Sequence, residues 1–289
     1  MNLKVKFFLI IGLLIYTQTK GQEINNNLSE LKLYGKVKSI SSLSYKLWED
    51  DNNIQSREPA FTNTDGEEGY FSKSMVFNTL GNIIEEVRYK ADGSLDSKKT
   101  YKYDEDANVL EMQDFQWNGK LFSSYNYYYN DQGNKILQVR LSPEREIYSF
   151  NIGQYDDQGH IVEDRGYNGD GLLLYTSKYS YNNNGILYEI LVFNESNALT
   201  SKQELTYDND GNLISLIKYA SDGSISNKGI REYNHLGNIT KEDTYMMGEW
   251  LFKMTFRYEY DDKNNWIKRI EYNQQNQPSY LIEREINYY

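Results

Sequence analysis

Groups that could move a proton or hold a metal are few in this chain. Only two histidines occur, His160 and His235, and there is no cysteine among 289 residues. Histidine is the commonest general base at neutral pH, yet both lie in short polar stretches that read as turns, where exposure is the rule. Without cysteine there is no disulfide, no zinc–thiolate site and no thiol nucleophile. The chain has no Gly-rich phosphate loop, serine elbow or paired-histidine motif. Asp208-Asn209-Asp210-Gly211 has the acids of a calcium loop's start but lacks the spaced third acid and the distal glutamate. No catalytic residue, metal or cofactor is therefore assigned.

Two recurring residue sets remain. Glu85, Glu111, Glu163 and Glu189 stand at one place in a repeat, on the face expected to carry Ile83 and Tyr89. Strands two spacings apart would hold such carboxylates about 9–10 Å from each other, near the ~6.5–9.5 Å of inverting glycosidases. An acid/base pair needs two unlike environments, whereas repetition makes four alike, with lysines such as Lys99 on the neighbouring strand. The expectation is a non-enzymatic protein, and a glycoside-acting enzyme using the Glu ladder is the alternative. The second set is aromatic: 28 tyrosines are present. Trp117, Tyr125, Tyr127, Tyr128 and Tyr129 form the densest group and are the candidate binding residues, because amphipathic aromatics suit interfaces. The same residues also serve as cross-strand ladders.

A repeat must position both sets. The aromatics Phe77, Tyr103, Tyr129, Tyr155, Tyr181, Tyr207 and Tyr233 recur every 26 residues, and Tyr260 follows after 27. Four residues after these come Gly81, Gly133, Gly159, Gly185, Gly211 and Gly237, with Ala107 and Asn264 in the remaining two places. Asp or Asn after the aromatic can bond the backbone two residues on, and the glycine can take the left-handed conformation that closes a hairpin loop. Midway through the repeat a second turn falls at Asp92-Gly93, Asn118-Gly119, Asp170-Gly171 and Asp222-Gly223, with Glu144-Arg145 and Ser196-Asn197 as weaker versions. Each repeat is thus two strands, and strict alternation predicts one buried and one mostly polar face. About eighteen strands result. Open sheets rarely exceed about ten strands without curling, so the fold class is an all-β antiparallel meander in one long curled sheet: an open spiral, a partial shell or a barrel.

Tyr-x-Tyr-Asp-x-x-Gly-Asn followed by an apolar pair and a later Asp-Gly is carried best by Tyr101–Asn108, Tyr179–Gly185 and Tyr207–Asn212. This phrase resembles the YD repeats of RHS proteins, and the resemblance covers residues 69–289. It implies a curved extracellular β assembly; large relatives build hollow shells around toxin domains, and some are carbohydrate-associated. A role in interbacterial antagonism, toxin-associated or immune, is the alternative that the resemblance suggests.

Residues 1–21 read as a signal peptide: Lys4 and Lys6, an apolar run from Phe7 to Tyr16, and small Thr19 and Gly21 before Gln22. Residues 22–68 read as an arm capped at Asn27 or Ser29, a first strand and a charged loop. Loss of three leader lysines moves the net charge from −11 to −14. Such an acidic protein suits neither nucleic acid nor anionic lipid, and no transmembrane segment remains after cleavage. A periplasmic, outer-surface or secreted location is expected, with a glycan or an extracellular protein as partner. Lys36 and Lys38 on the first strand, and Glu283, Arg284 and Glu285 on the last, read as charges guarding two free sheet edges.

Overall fold

The computed structural model describes residues 27–50, 53–59 and 72–289; the leader and the rest of the charged loop lie outside them. Among the described residues a single helical turn, α1 (Asn27–Glu30), precedes nineteen strands. The first three are β1 (Val37–Asp50), β2 (Asn53–Pro59) and β3 (Ser72–Phe77). The repeats follow as β4 (Ile83–Tyr89), β5 (Leu95–Tyr103), β6 (Val109–Gln116), β7 (Leu121–Tyr129), β8 (Lys135–Leu141) and β9 (Ile147–Tyr155). Next come β10 (Ile161–Asn168), β11 (Leu173–Tyr181), β12 (Leu187–Asn194), β13 (Leu199–Tyr207) and β14 (Leu213–Ala220). The last are β15 (Ile225–Tyr233), β16 (Ile239–Met246), β17 (Glu249–Tyr260), β18 (Trp266–Tyr272) and β19 (Pro278–Tyr288).

Turn chemistry sets this meander. The Asp104 carboxylate accepts from the backbone N–H of Asp106 and of Asn108 at 3.0 and 2.8 Å, and Asn130, Asp156, Asp208, Asn234 and Asp261 repeat the pattern. The six expected turn glycines all have φ between 72° and 86°. Ala107 (φ 66°), Arg145 (φ 67°) and Asn197 (φ 59°) take the same conformation, so the weaker turn texts are real turns. A left-handed alanine costs about 1–2 kcal/mol. Ala107→Gly is therefore expected to stabilise the protein by about 1 kcal/mol, measured as a higher urea midpoint; a lower midpoint would contradict the turn.

The sheet closes. β1 pairs along one edge with β19, from Val37↔Tyr288 to Lys46↔Tyr280, and along the other with β3, from Ser39↔Val76 to Ser42↔Lys73. The result is a barrel of 18 antiparallel strands, with β2 a hairpin extension paired to the far part of β1. This corrects the expectation of two charge-guarded edges: the first and last strands are partners, because only closure removes an edge altogether.

The strict alternation is also corrected. Phe77 pairs with Ile83 but Val76 pairs with Glu85, leaving Ile84 as the extra residue of a bulge. Paired residues share a face, so Ile83 and Glu85 lie on opposite faces. Equivalent shifts occur beyond the other turns. One face takes Ile83, Tyr103, Leu187 and Leu213, whereas the other takes Glu85, Tyr89, Leu95 and Phe115. Val37, Ile40, Met75, Phe77 and Leu187, at 0–3% exposure, share the first face. This is the inner face of the closed wall.

Two clusters form the core there. Leu187, Ile190 and Leu205 pack with Tyr179, Tyr181 and Tyr207. On the opposite stretch of wall, Leu28 and Leu33 of the N-terminal arm pack on Val37, Ile40, Met75 and Phe77. The arm lies across the mouth formed by the glycine turns. Its Leu28 N–H donates to Gly81 O at 3.1 Å, its Lys32 Nζ donates to Asn212 and to Gly237 O, and Tyr34 exchanges two bonds with Asn265.

Candidate binding site on the inner wall

The turn tyrosines hold one repeat to the next. Tyr103 OH donates to Ile83 O at 2.6 Å, Tyr129 to Val109 O at 3.0 Å, Tyr155 to Lys135 O at 2.8 Å and Tyr233 to Leu213 O at 2.8 Å. At the closure Tyr289 donates to Phe77 O at 2.6 Å, at the end of β3. The repeat hydroxyls reach the carbonyl of the first residue of the preceding strand. The turn tyrosine is therefore part of the fold's hydrogen bonding.

The candidate aromatics do not share one surface. Tyr125, Tyr127 and Tyr129 point inward and Tyr128 outward, since Tyr127 pairs with Gln138 and Tyr128 with Leu137. Burial pushes the Tyr127 phenol pKa up. Trp117 stands in the β6–β7 turn at the other end, 63% exposed, with Lys90 Nζ 5.3 Å from its ring centre. Between the turns at 104–108 and 130–134 an open hollow of about 410 Å³ is bordered by Tyr127, Tyr128, Tyr129, Asp104 and Asp131.

The Glu ladder lies on the outer face, each acid beside a cation. Glu85 meets Lys98 at 2.5 Å, Glu111 meets Lys102 at 2.6 Å, Glu163 meets Arg165 at 2.7 Å and Glu189 meets Lys202 at 3.2 Å. The hydrogen bond from Lys102 holds the Glu111 pKa below the usual carboxylate value. Lys99, expected as a neutralising neighbour, faces inward opposite Glu86 and Asp114 instead. His160 bonds Asp156 at 3.0 Å and stacks on Tyr181, which closes a turn; His235 is exposed in another.

What sequence reasoning missed is the content of the inner wall. Register runs one row across five strand junctions: Tyr127↔Gln138, Gln138↔Asn151, Asn151↔Gly166, Gly166↔Tyr175 and Tyr175↔Asn194. Two phenols and three amides thus share one row on the concave surface, with Gly166 between Asn151 and Tyr175. Gly166 makes room for the row: a Cβ there would lie 2.3 Å from the Tyr175 ring. Asn151 donates to Tyr175 OH at 2.5 Å and to Asp164 at 3.0 Å. A glycine inside a strand was the available signal, because it marks close approach.

Burial raises the Asp164 pKa above its ordinary 3.8, with Asn151 and Lys135 opposing the shift. A carboxyl with a raised folded-state pKa favours folding while protonated, and that contribution is lost as pH rises through the folded pKa. Asp164→Asn keeps the shape and an acceptor oxygen. It is expected to raise the melting temperature at pH 7 and to change nothing at a pH below 3.8. Equal shifts at both pH values would contradict this.

A second inner row joins Arg284 (β19), Ser42 (β1), Lys73 (β3) and Arg88 (β4) as successive cross-strand partners. Arg269 and Glu271 on β18 stand beside it, with Arg269 Nη2 2.6 Å from Glu271 Oε1. The Arg284 guanidinium lies over Trp266, 3.2 Å from the ring centre. Burial, with Arg269 adding to it, pushes the Arg284 pKa down to about 9, so it stays charged at neutral pH. Burial likewise lowers the Lys73 pKa; Arg284, Arg88 and Arg269 add to the shift and Glu86 opposes it.

No family model matches the chain, and no curated protein matches it in sequence. Among solved structures, the chain is similar to a porin-like protein from Bacteroides uniformis, with a TM-score of 0.42 and 11% identity over 87% of this chain and 96% of that one. A porin-like protein from Bacteroides vulgatus gives a TM-score of 0.30 and 14% identity over 88% and 98% of the two chains. The Photorhabdus luminescens Tc holotoxin pore gives 0.28 and 12% identity; the match covers 81% of this chain and 17% of that one.

Proposed function

We propose that this chain is an exported, non-enzymatic YD-type (RHS-like) repeat barrel that binds a glycan through its inner wall. The observation that carries the reading is the row of Tyr127, Gln138, Asn151, Tyr175 and Asn194. Phenol rings offer flat apolar faces with a polar tip, and carboxamides both donate and accept. These are the groups that a polyhydroxylated ring needs. By strand number alone, an 18-stranded wall leaves room inside beyond what its side chains fill. The outer face carries Glu–Lys pairs between β4 and β5, β5 and β6, β12 and β13, and β17 and β18, and the repeat strands are mostly 7–9 residues long. A lipid-facing barrel needs an apolar outer band and strands of about 9–11 residues, so a barrel in water fits better.

A glycan array probed with the purified protein tests the reading. Reproducible binding to one sugar class, lost in Asn151→Ala or Asn194→Ala and kept in Trp117→Ala, is the expected outcome. No binding, or binding lost only with Trp117, would overturn the inner-wall assignment and favour a protein partner.

A further inference from the structure

We propose that the inner wall where β18, β19, β1, β3 and β4 adjoin is an anion-binding site, which takes a carboxylate or sulfate group of the bound ligand. The inference deepens the glycan reading, on which its ligand class rests, by making the sugar acidic.

Charge is the first ground. The patch brings together Lys73, Arg88, Arg269 and Arg284 against the carboxylates Glu86 and Glu271. Glu86 pairs with Arg88 and Glu271 with Arg269. Lys73 and Arg284 form no ion pair with a described carboxylate. The patch is thus net positive inside a protein whose overall charge is −11.

The second ground is hydrogen bonding. Arg284 Nε, Arg269 Nε and Ser42 Oγ are buried without a hydrogen-bond partner. Leaving a buried donor unmet costs about 1–3 kcal/mol, and more for a charged group. All three sit on or beside one row, flanking Lys73. A planar or tetrahedral oxyanion accepts from several donors at once and is the natural match for guanidinium forks. The Trp266 ring backs the Arg284 guanidinium and holds its plane in place.

Structure alone has little reason to keep this arrangement, because an unpaired buried charge is destabilising and an apolar side chain of similar volume is often neutral or better. Arg284→Met therefore separates the two roles.

The experiment is calorimetric titration of the purified protein at low and at physiological salt, with a galacturonate trisaccharide, the neutral galactose trisaccharide and inorganic sulfate as probes. Preference for the galacturonate trisaccharide by about tenfold or more, weakened by salt, is expected. Arg284→Met should lose that preference while its melting temperature stays equal or rises, and Lys73→Met provides a second variant. Arg284-dependent binding of sulfate with no sugar binding supports the anion site and sinks the glycan reading. Equal binding of both trisaccharides, unchanged in Arg284→Met and Lys73→Met, overturns the anion site and leaves the glycan reading standing. If none of the three probes binds, the anion site is overturned.

Discussion

Replacing Glu271 with glutamine is expected to destabilise the barrel by about 3–5 kcal/mol. Glu271 is fully buried and holds Arg269 at 2.6 Å. Arg269 also influences Arg284 and Lys73, both already disfavoured by burial. Removing the carboxylate leaves three neighbouring cations on the inner wall with one compensating charge fewer. Breaking one member of a buried pair costs far more than replacing both, because the surviving charge is left without its counterion. The double change Glu271→Met with Arg269→Met should therefore recover most of the loss. Urea unfolding of Glu271→Met, Arg269→Met and the double variant measures this as a coupling energy. A loss below about 1 kcal/mol for Glu271→Gln would mean that water, not the carboxylate, carries the Arg269 charge.

Phe77→Ala should cost a similar amount, about 3–5 kcal/mol, by lost transfer energy and the cavity left behind. Phe77 has 0% exposure. It packs with Met75, Val37 and Ile40 beneath Leu28 and Leu33 of the arm, and its carbonyl accepts the Tyr289 hydroxyl. The side chain thus sits where the first and last strands meet. Its loss is expected to lower the unfolding midpoint and to speed amide exchange in β1, β3 and β19 more than in β10–β13. Uniform exchange across all strands would refute a role confined to the seam.

The repeat was legible because its causes are local. An acceptor side chain after the turn aromatic, followed by a residue at positive φ, acts within five residues, so the spacing of Asp104, Asn130 and Asp156 carried the turns directly. Even Ala107 and Arg145, poor residues for the conformation, could be placed by period. Strand number followed from counting turns. The faces were not legible in the same way. One extra residue beyond a turn reverses inside and outside, and nothing in Ile83-Ile84-Glu85 announces which residue is extra. Plain alternation consequently puts the Glu ladder with Ile83 and hides the inner row through Asn151 and Tyr175.

Closure was beyond the sequence for a different reason. The charges of Arg284 and Glu285 look alike as text, and both suit an exposed edge. Pairing of β19 with β1 turns Arg284 inward and Glu285 outward, which converts an edge guard into a buried cation over Trp266. The sequence by itself determined an all-β chain of hairpins with a 26-residue period and an aromatic at the entry to each turn, since short-range backbone preferences repeat wherever their residues do. Only the tertiary structure decided that the sheet closes, which face turns inward and which charges meet there. The face follows from the bulge beyond each turn, and closure from register between strands more than two hundred residues apart in the chain, where no local preference reaches.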